Sequence, residues 1–250
     1  MATFHSYQIP QVENLEFCVD GNIKYINGTT WKGAKADVEM VNGPVYTQIG
    51  SDAGYWTFNG TNQYGYITKL NYGDPANTPD NGNFPNFTCH LWVRTTYSDA
   101  STSISVNWSW IDFDRSETFN IYPLGNGRVG FSGRDGVNDY FDTSGTIAVN
   151  DGNWHCVSVT WDATAAQLKF YVDGEFDILR QYSSGGALGT NGQRRWGFVG
   201  DGSEATSENG SRNNAYYDGD IGRIVLLKAT LTDEEVKREW LYNKTRFGIT

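Results

Sequence analysis

Cysteine is scarce in this chain. Its 250 residues include only three, Cys18, Cys89 and Cys156, and no two of them form a C-x-x-C pair. This scarcity excludes a framework of disulfides. We therefore interpret the three thiols as small, buried apolar groups.

Positive charge is also in short supply. The chain has 19 Lys and Arg residues against 29 Asp and Glu residues, a net charge of -10, and its basic residues form no run. Binding to phosphate backbones depends on clustered Lys and Arg, so we expect no nucleic-acid partner. An anionic membrane surface would repel the chain for the same reason.

Long apolar runs are missing as well. No stretch approaches the roughly 18 apolar residues that a membrane-spanning helix needs, so we expect no membrane insertion. The first residues, MATFHSYQIPQ, lack the basic start and apolar stretch of a signal peptide. We therefore expect a protein made in a cytoplasm that leaves it, if at all, without a secretion signal.

Glycine and aromatic residues, by contrast, are plentiful, with 29 Gly, nine Trp and 15% aromatic content. This composition favours many strands joined by turns over helices. The clearest segment, residues 151–174, predicts a hairpin. Val157, Val159 and Trp161 share one face of its first strand, and Leu168, Phe170 and Val172 share one face of its second. One apolar face on each strand requires a second sheet to cover it.

Other alternating segments predict further strands, at residues 15–19, 87–93, 103–113 and 221–228. A helix over about residues 232–246 follows, because Thr232 and Glu235 have the spacing of a capping box. Its apolar stripe consists of Val236, Trp240 and Phe247. We predict an all-β, two-sheet antiparallel sandwich with one short C-terminal helix, in which residues 1–14 form an arm and residues 15–250 a single domain.

Several motifs resemble laminin-G-like and pentraxin domains, and they occur in the order found in that family. They are FNGTNQY at 58–64, FTCHLWV at 87–93, WHCVSVTWD at 154–162, and GDIGRI at 219–224 followed by LTDEEV at 231–236. The resemblance covers the chain from about Tyr55 to its end. It implies a concanavalin A-like jelly roll.

A narrower resemblance links the two ends of the chain to laminin-G-like virion proteins of tailed phages. It rests on LEFCVD at 15–20, TTW at 29–31 and the final Arg246-Phe247-Gly248. It implies a structural protein on the phage surface, either a capsid decoration or a head or tail fibre component, located in the virion. Its expected partners are other virion proteins, further copies of the chain and host-surface polysaccharide.

The sequence departs from the pentraxin pattern at the cysteines and at the acidic calcium-binding cluster. Cys89 lies one position earlier than in pentraxins, and a one-residue shift moves a side chain to the opposite face of a strand. We therefore expect no Cys89–Cys156 bridge. The oxygen ligands that remain for calcium are Asp201, Glu204, Glu208, Asp218 and Asp220, and the alternative for this segment is a hydrated acidic loop.

One acidic segment resembles the E-x-D-x-x-E strand of jelly-roll glucanases. It contains Asp112, Asp114 and Glu117, with Asp in place of the first Glu. Retaining hydrolysis needs two carboxylates about 5 Å apart. A solvated acidic turn is the favoured reading, because the segment lies where a strand runs into a loop. We therefore expect no enzyme activity and keep a glucanase-like glycoside hydrolase as the less favoured alternative.

Aromatic and amide side chains in two long loops predict a glycan site. Sugar rings stack on exposed aromatic faces, while amides and carboxylates bind the hydroxyl groups. The candidates are Trp196, Asn213, Asn214, Tyr216 and Tyr217, with Tyr72 and Phe84 in the other loop. Most tryptophans, including Trp108, Trp110 and Trp161, are expected in the core. The alternatives are a stand-alone lectin module, or loops that only make subunit contacts.

Overall fold

The computed structural model describes residues 9–72, 83–98, 108–137, 141–190 and 192–250. The strands are β1 (Leu15–Asp20), β2 (Ile26–Asn27), β3 (Thr30–Trp31), β4 (Gly33–Ala34), β5 (Val38–Val41), β6 (Val45–Ile49), β7 (Ala53–Asn59), β8 (Tyr64–Tyr72), β9 (Asn86–Arg94), β10 (Ile111–Asp112), β11 (Phe119–Pro123), β12 (Arg128–Gly133), β13 (Phe141–Ala148), β14 (His155–Asp162), β15 (Gln167–Val172), β16 (Glu175–Gln181), β17 (Arg195–Val199) and β18 (Asp218–Leu227). Helix α1 spans Asp233–Asn243, and short 3-10 helices span Val12–Asn14, Ile23–Tyr25 and Lys244–Phe247.

The predicted hairpin lies within the first of two antiparallel sheets. Strands β14 and β15 pair with Val159 opposite Phe170 and Trp161 opposite Leu168, as the alternation requires. On its other edge β14 pairs with β9, which places Trp161 opposite Phe87. The hairpin prediction is therefore confirmed, and its apolar face lies in the main core.

Two stacked sheets make up the fold. The first runs β16-β15-β14-β9-β18-β1-β4, with β7 paired to the start of β18 and β6 paired to β7. The second runs β13-β12-β11-β10-β17-β8-β5-β3-β2. The inner faces of both sheets supply one continuous core, as in a β-sandwich. The predicted all-β, two-sheet jelly-roll sandwich with a short C-terminal helix is confirmed.

Helix α1 covers part of the outer face of the first sheet. Thr232 accepts a hydrogen bond from the backbone N–H of Glu235, and the Glu235 carboxylate accepts one from the backbone N–H of Thr232, so the predicted capping box is present. Residues Val236, Glu239 and Asn243 are buried, and Phe247 follows in the 3-10 turn. The predicted stripe therefore included Val236 and Phe247 but missed Glu239. No helix in the described ranges is both long and apolar enough to cross a membrane.

All three cysteines are buried and free, as expected from the sequence. Cys89 lies in the core between the sheets, whereas Cys156 packs on the outer face of the first sheet beside Trp92 and Phe247. Opposite faces of one sheet cannot be bridged by a disulfide. At the N-terminus, residues 1–8 lie outside the described ranges, and Ile9 packs in a small cluster with Val236 of α1.

The outer face of the second sheet carries polar side chains. Ile111, Ile121 and Phe131 point into the core, so their strand neighbours Asp112, Asn120 and Ser132 point outward. Of the predicted strand at residues 103–113, the structure has only Ile111–Asp112 in strand form, and residues 103–107 lie outside the described ranges. Ser203, Glu204 and Asn213, in the loop between β17 and β18, lie beside this polar face.

Candidate functional site

The loop between β17 and β18 is folded around one buried carboxylate. Asp201 accepts hydrogen bonds from the backbone N–H groups of Gly202 and Ala215, at 2.7 and 2.9 Å. It also forms an ion pair with Arg212 at 3.2 Å. Burial raises the pKa of Asp201 above its ordinary value, although these three donors oppose the rise. Because Asp201 joins the two ends of the loop, it fixes the direction of the residues that follow Ala215.

Arg212 fastens the same loop to the second sheet. Its guanidinium lies over the Tyr64 ring, 3.8 Å from the ring centroid, and donates a hydrogen bond to the hydroxyl group of Tyr64 at 2.7 Å. The Tyr216 ring packs against Tyr64 with a centroid separation of 6.4 Å. Cation–π and aromatic contacts of this kind hold Tyr216 in place.

A cavity of about 530 Å³ opens beside this loop, and we call it the end groove. Its lining includes Asn59, Tyr97, Trp108, Asn214, Tyr216 and Asp218. The half-buried Trp108 donates its indole N–H to the carbonyl oxygen of Pro123 at 3.1 Å. The Tyr97 ring meets Trp108 edge-on, with centroids 4.6 Å apart. The indole is therefore held from two sides while part of it faces the groove.

The polar groups of the end groove come from two turns. Asn59 accepts hydrogen bonds from the backbone N–H groups of Thr61 and Asn62, and this forms the tight turn between β7 and β8. Gly60 in that turn has a φ of 66°, and a Cβ there would lie 2.9 Å from the Cβ of Asp218. On the opposite wall, Tyr216 donates its hydroxyl hydrogen to the side-chain oxygen of Asn214 at 3.0 Å. The groove thus combines aromatic surface with amide and carboxylate groups.

A second cavity, of about 400 Å³, lies over the outer face of the second sheet, and we call it the acidic pocket. Its lining includes Asp112, Asp114, Arg115, Asn120, Asp142 and Glu204, together with Asn213. Asp112 is buried and accepts hydrogen bonds from the backbone N–H of Asp114, from Ser109 and from Asn120. Burial, aided by the nearby charge of Asp114, raises the pKa of Asp112 to about 8.

Arg195 forms ion pairs with the other two acids of the glucanase-like segment. It forms an ion pair with Asp114 at 2.5 Å and a longer one with Glu117 at 3.6 Å. Asp114 itself lies in a turn beyond the end of β10, with a φ of 66°. Both carboxylates therefore contact one guanidinium group. This pairing stabilises the turn, and neither carboxylate is free to act as a nucleophile.

The predicted glycan-binding residues lie in different parts of the structure. Asn214 and Tyr216 line the end groove and Asn213 lines the acidic pocket. Trp196 packs beside Tyr64 and Phe198, with its indole N–H buried. Tyr217 is a correction: it is 1% exposed and packs in the core against Phe58 and Trp110, so no sugar can stack on it.

The two aromatic candidates from the other long loop also need correction. Tyr72 and Phe84 are fully buried and pack edge-on, 4.5 Å between ring centroids. Much of the segment between them lies outside the described ranges. These two rings build the core and are not available to a ligand.

The predicted calcium ligands are not brought together. Asp201 pairs with Arg212, Asp220 pairs with Arg94 at 2.7 Å, Glu204 lines the acidic pocket and Asp218 lines the end groove. Glu208 accepts a hydrogen bond from the backbone N–H of Lys69. In the parts of the chain that the structure describes, no three His, Cys, Asp or Glu side chains form a group suited to a metal ion. The calcium expectation is corrected accordingly.

Sequence reasoning missed Trp108, Tyr97 and the 59–61 turn as parts of a site. Alternation with Trp110 placed Trp108 in the core, but residues 108–110 do not form a strand, so the two rings are not constrained to one face. Trp110 is buried and Trp108 is half-buried. Asn59-Gly60 is a typical turn pair, but no local signal places it beside residue 218, because β7 and β18 are distant in sequence.

Comparisons with known proteins agree with this fold. Residues 59–237, well over half of the chain, match the family model described as the concanavalin A-like lectin/glucanases superfamily. No curated protein sequence matches the chain. Among solved structures, the binding domain of Paraclostridial Mosquitocidal Protein 1 is similar with 12% identity and a TM-score of 0.61, over 95% of this chain and 55% of that chain.

Two structures of another toxin domain are similar to the same extent. The binding domain of Botulinum Neurotoxin DC in complex with SialylT has 11% identity and a TM-score of 0.59, over 92% of this chain and 51% of that one. The same domain in complex with rat synaptotagmin II has 10% identity and a TM-score of 0.61, over 92% and 52%. The chain therefore spans about half the length of these binding domains, and the likeness concerns the fold.

Proposed function

Because the chain belongs to the concanavalin A-like lectin/glucanases superfamily, we propose that it is a non-enzymatic glycan-binding module whose sugar site is the end groove. The superfamily includes both binding proteins and hydrolases, so the choice rests on the residues of the site. The observation that carries the proposal is the half-buried Trp108, fixed by Pro123 and Tyr97 at the wall of a polar groove.

The chemistry of the end groove suits a sugar. A pyranose ring offers an apolar face of C–H groups and a rim of hydroxyl groups. Trp108 and Tyr216 supply aromatic surface for the face, and Asn214 and Asp218 supply an amide and a carboxylate for the rim. Binding sites of this kind combine a mainly apolar surface with a few well-placed polar groups.

The acids of the glucanase-like segment favour binding over hydrolysis. A retaining glycosidase needs one carboxylate free to attack and another free to donate a proton. Asp114 and Glu117 lie in the turn after β10 and both form ion pairs with Arg195, so neither is free for these roles. The similar toxin domains are described as binding domains, which agrees with a non-enzymatic module.

Substitution of the groove aromatics tests the proposal. We expect Trp108→Ala and Tyr216→Ala each to weaken binding of a glycan selected on an array by about tenfold or more, the effect of removing an aromatic anchor. Tyr242→Ala is the matched control, since Tyr242 is 47% exposed on α1 and is not part of the groove lining. Unchanged affinity in both groove variants, with folding verified by circular dichroism, would contradict the proposal.

We further propose that the module is carried on the surface of a phage particle, as a capsid decoration or fibre component, after synthesis in the host cytoplasm. The support is the resemblance of LEFCVD at 15–20, TTW at 29–31 and the final Arg246-Phe247-Gly248 to laminin-G-like virion proteins. In that setting the end groove would bind host-surface polysaccharide. Mass spectrometry of purified particles tests this role, and absence of the chain from them would refute it.

A further inference from the structure

The acidic pocket and the end groove lie on two sides of one short segment. Asn213 lines the acidic pocket, and the next residue, Asn214, lines the end groove. Consecutive Cα atoms are about 3.8 Å apart, so the two cavities approach each other closely at this point. Asn214 has a φ of 57°, and this left-handed conformation turns the chain between the two cavities. A glycan held in the groove at this segment therefore lies close to the pocket.

The walls of the acidic pocket are rich in carboxyl groups. Those of Asp112, Asp114, Asp142 and Glu204 line the cavity with the guanidinium of Arg115. Asp114 is paired with Arg195, so Asp142 and Glu204 supply most of the negative charge below about pH 8. Burial of Asp112 and partial burial of Glu204, in each case together with the charge of Asp114, raise the pKa of these two groups. A positive charge in the cavity would offset both effects, because it would stabilise the ionised carboxylates.

Asn120 adds an acceptor that the protein leaves unused. The residue is 3% exposed and lines the pocket from the central strand β11. Its side-chain nitrogen donates to Asp112 at 3.3 Å, but its side-chain oxygen has no hydrogen-bond partner. A buried acceptor without a donor is destabilising, so such a group beside a cavity points to a missing donor.

We propose that the acidic pocket binds the protonated amino group of an amino sugar, as part of a glycan whose neighbouring units occupy the end groove. This inference rests on the proposed glycan-binding function. An ammonium group supplies only donors and one positive charge, which matches an unused acceptor among carboxylates. A metal ion matches less well, since no metal-binding group of three side chains occurs in the described ranges.

The test compares two tetrasaccharides that differ only at the amino group. A β-1,4-linked glucosamine tetramer and its fully N-acetylated counterpart are titrated calorimetrically into the full chain at about pH 6, where an amine is protonated. We expect the amino tetramer to bind about tenfold more tightly than the N-acetylated tetramer, or tighter still. This is the gain that a charge-assisted hydrogen bond gives. Glu204→Gln and Asp142→Asn, at exposed positions, should each weaken only the amino tetramer.

One control and one further variant separate binding in the pocket from general attraction to an acidic protein. Glu234→Gln removes an exposed carboxylate from α1 and should leave both affinities unchanged. Asn120→Leu removes the unused acceptor and should weaken only the amino tetramer, with folding verified by thermal unfolding. If Glu234→Gln weakens the amino tetramer as much as Glu204→Gln does, the pocket is not the site and the inference is overturned.

The remaining outcomes distinguish the two proposals. Equal affinity for both tetramers, with both weakened by Trp108→Ala, would overturn the amino-group inference and leave the glycan-binding function intact. If Trp108→Ala weakens neither tetramer, the groove is not the sugar site and the proposed function fails. Absence of binding by the amino tetramer overturns the inference, whatever else the groove binds.

Discussion

At the scale of single residues, Asp112 links the chemistry of the acidic pocket to the stability of the protein. Its pKa in the folded protein is about 8, against an ordinary value of 3.8, because it is buried next to Asp114. The folded state therefore binds a proton that the unfolded state has already lost above about pH 4. Through this group, the free energy of unfolding falls as the pH rises from about 4 to 8. Above about pH 8 the group causes no further change.

We predict that Asp112→Asn raises the free energy of unfolding, by an amount that grows up to about pH 8 and reaches a few kcal/mol. The amide keeps an acceptor for the backbone N–H of Asp114, and rotation of Asn120 brings its unused oxygen toward the new NH₂ group. Urea unfolding of both proteins at several pH values measures the difference. A difference that does not vary with pH would contradict the assignment of the raised pKa.

Neighbouring residues with similar side chains show where sequence reasoning reached its limit. Tyr216 and Tyr217 looked equivalent as sugar-stacking rings, yet Tyr216 faces the groove and Tyr217 is buried. The two rings lie on different sides of the chain that leads into β18, one at the groove and one in the core. Which one is exposed depends on contacts with Phe58 and Trp110, both far away in the sequence.

At the scale of elements, most alternating segments were predicted well because their pattern is local, whereas residues 108–110 of the segment predicted at 103–113 are not in strand form. Strands β9, β14, β15 and β18 follow their apolar alternation, and α1 follows its capping box. The contacts between elements were not predictable in this way. Glu239 reads as an exposed helical residue, but it is fully buried and forms an ion pair with Arg223 of β18 at 3.0 Å.

The ion-pair network under α1 joins the helix to two strands. Arg223 contacts Glu239 and Asp20 of β1, and Arg246 contacts Asp20 at 2.6 Å. Burial alone would raise the pKa of Asp20, but Arg223 and Arg246 hold it below its ordinary value. Two acids and two guanidinium groups therefore balance in a buried site, and removal of one leaves an unpaired charge.

We predict that Glu239→Ala lowers the free energy of unfolding by about 3–5 kcal/mol, the usual cost of leaving a buried charge without its partner. Glu234→Ala on the exposed side of α1 should change it by less than about 0.5 kcal/mol. Chemical denaturation of the two variants and the parent protein measures both values. Equal stability of the two variants would show that the network does not hold the helix on the sheet.

At the scale of the whole molecule, charge restricts which glycans can be bound. The net charge is -10, and the end groove contributes the carboxylate of Asp218. Arg94 and Arg212, which lie near this end of the fold, are paired with Asp220 and Asp201. An acidic protein with an acidic groove repels anionic ligands over a distance set by the ionic strength.

We therefore predict that a neutral glycan binds the chain more tightly than the same glycan capped with sialic acid. The difference should shrink between low salt and about 0.5 M salt, because screening weakens repulsion between exposed charges. Affinities for the capped and uncapped pair at two salt concentrations measure this effect. Asp218→Asn should reduce the difference further, since it removes the carboxylate that faces the ligand. Tighter binding of the sialylated glycan at low salt would mean that a basic surface receives it, and the site would then lie outside the end groove.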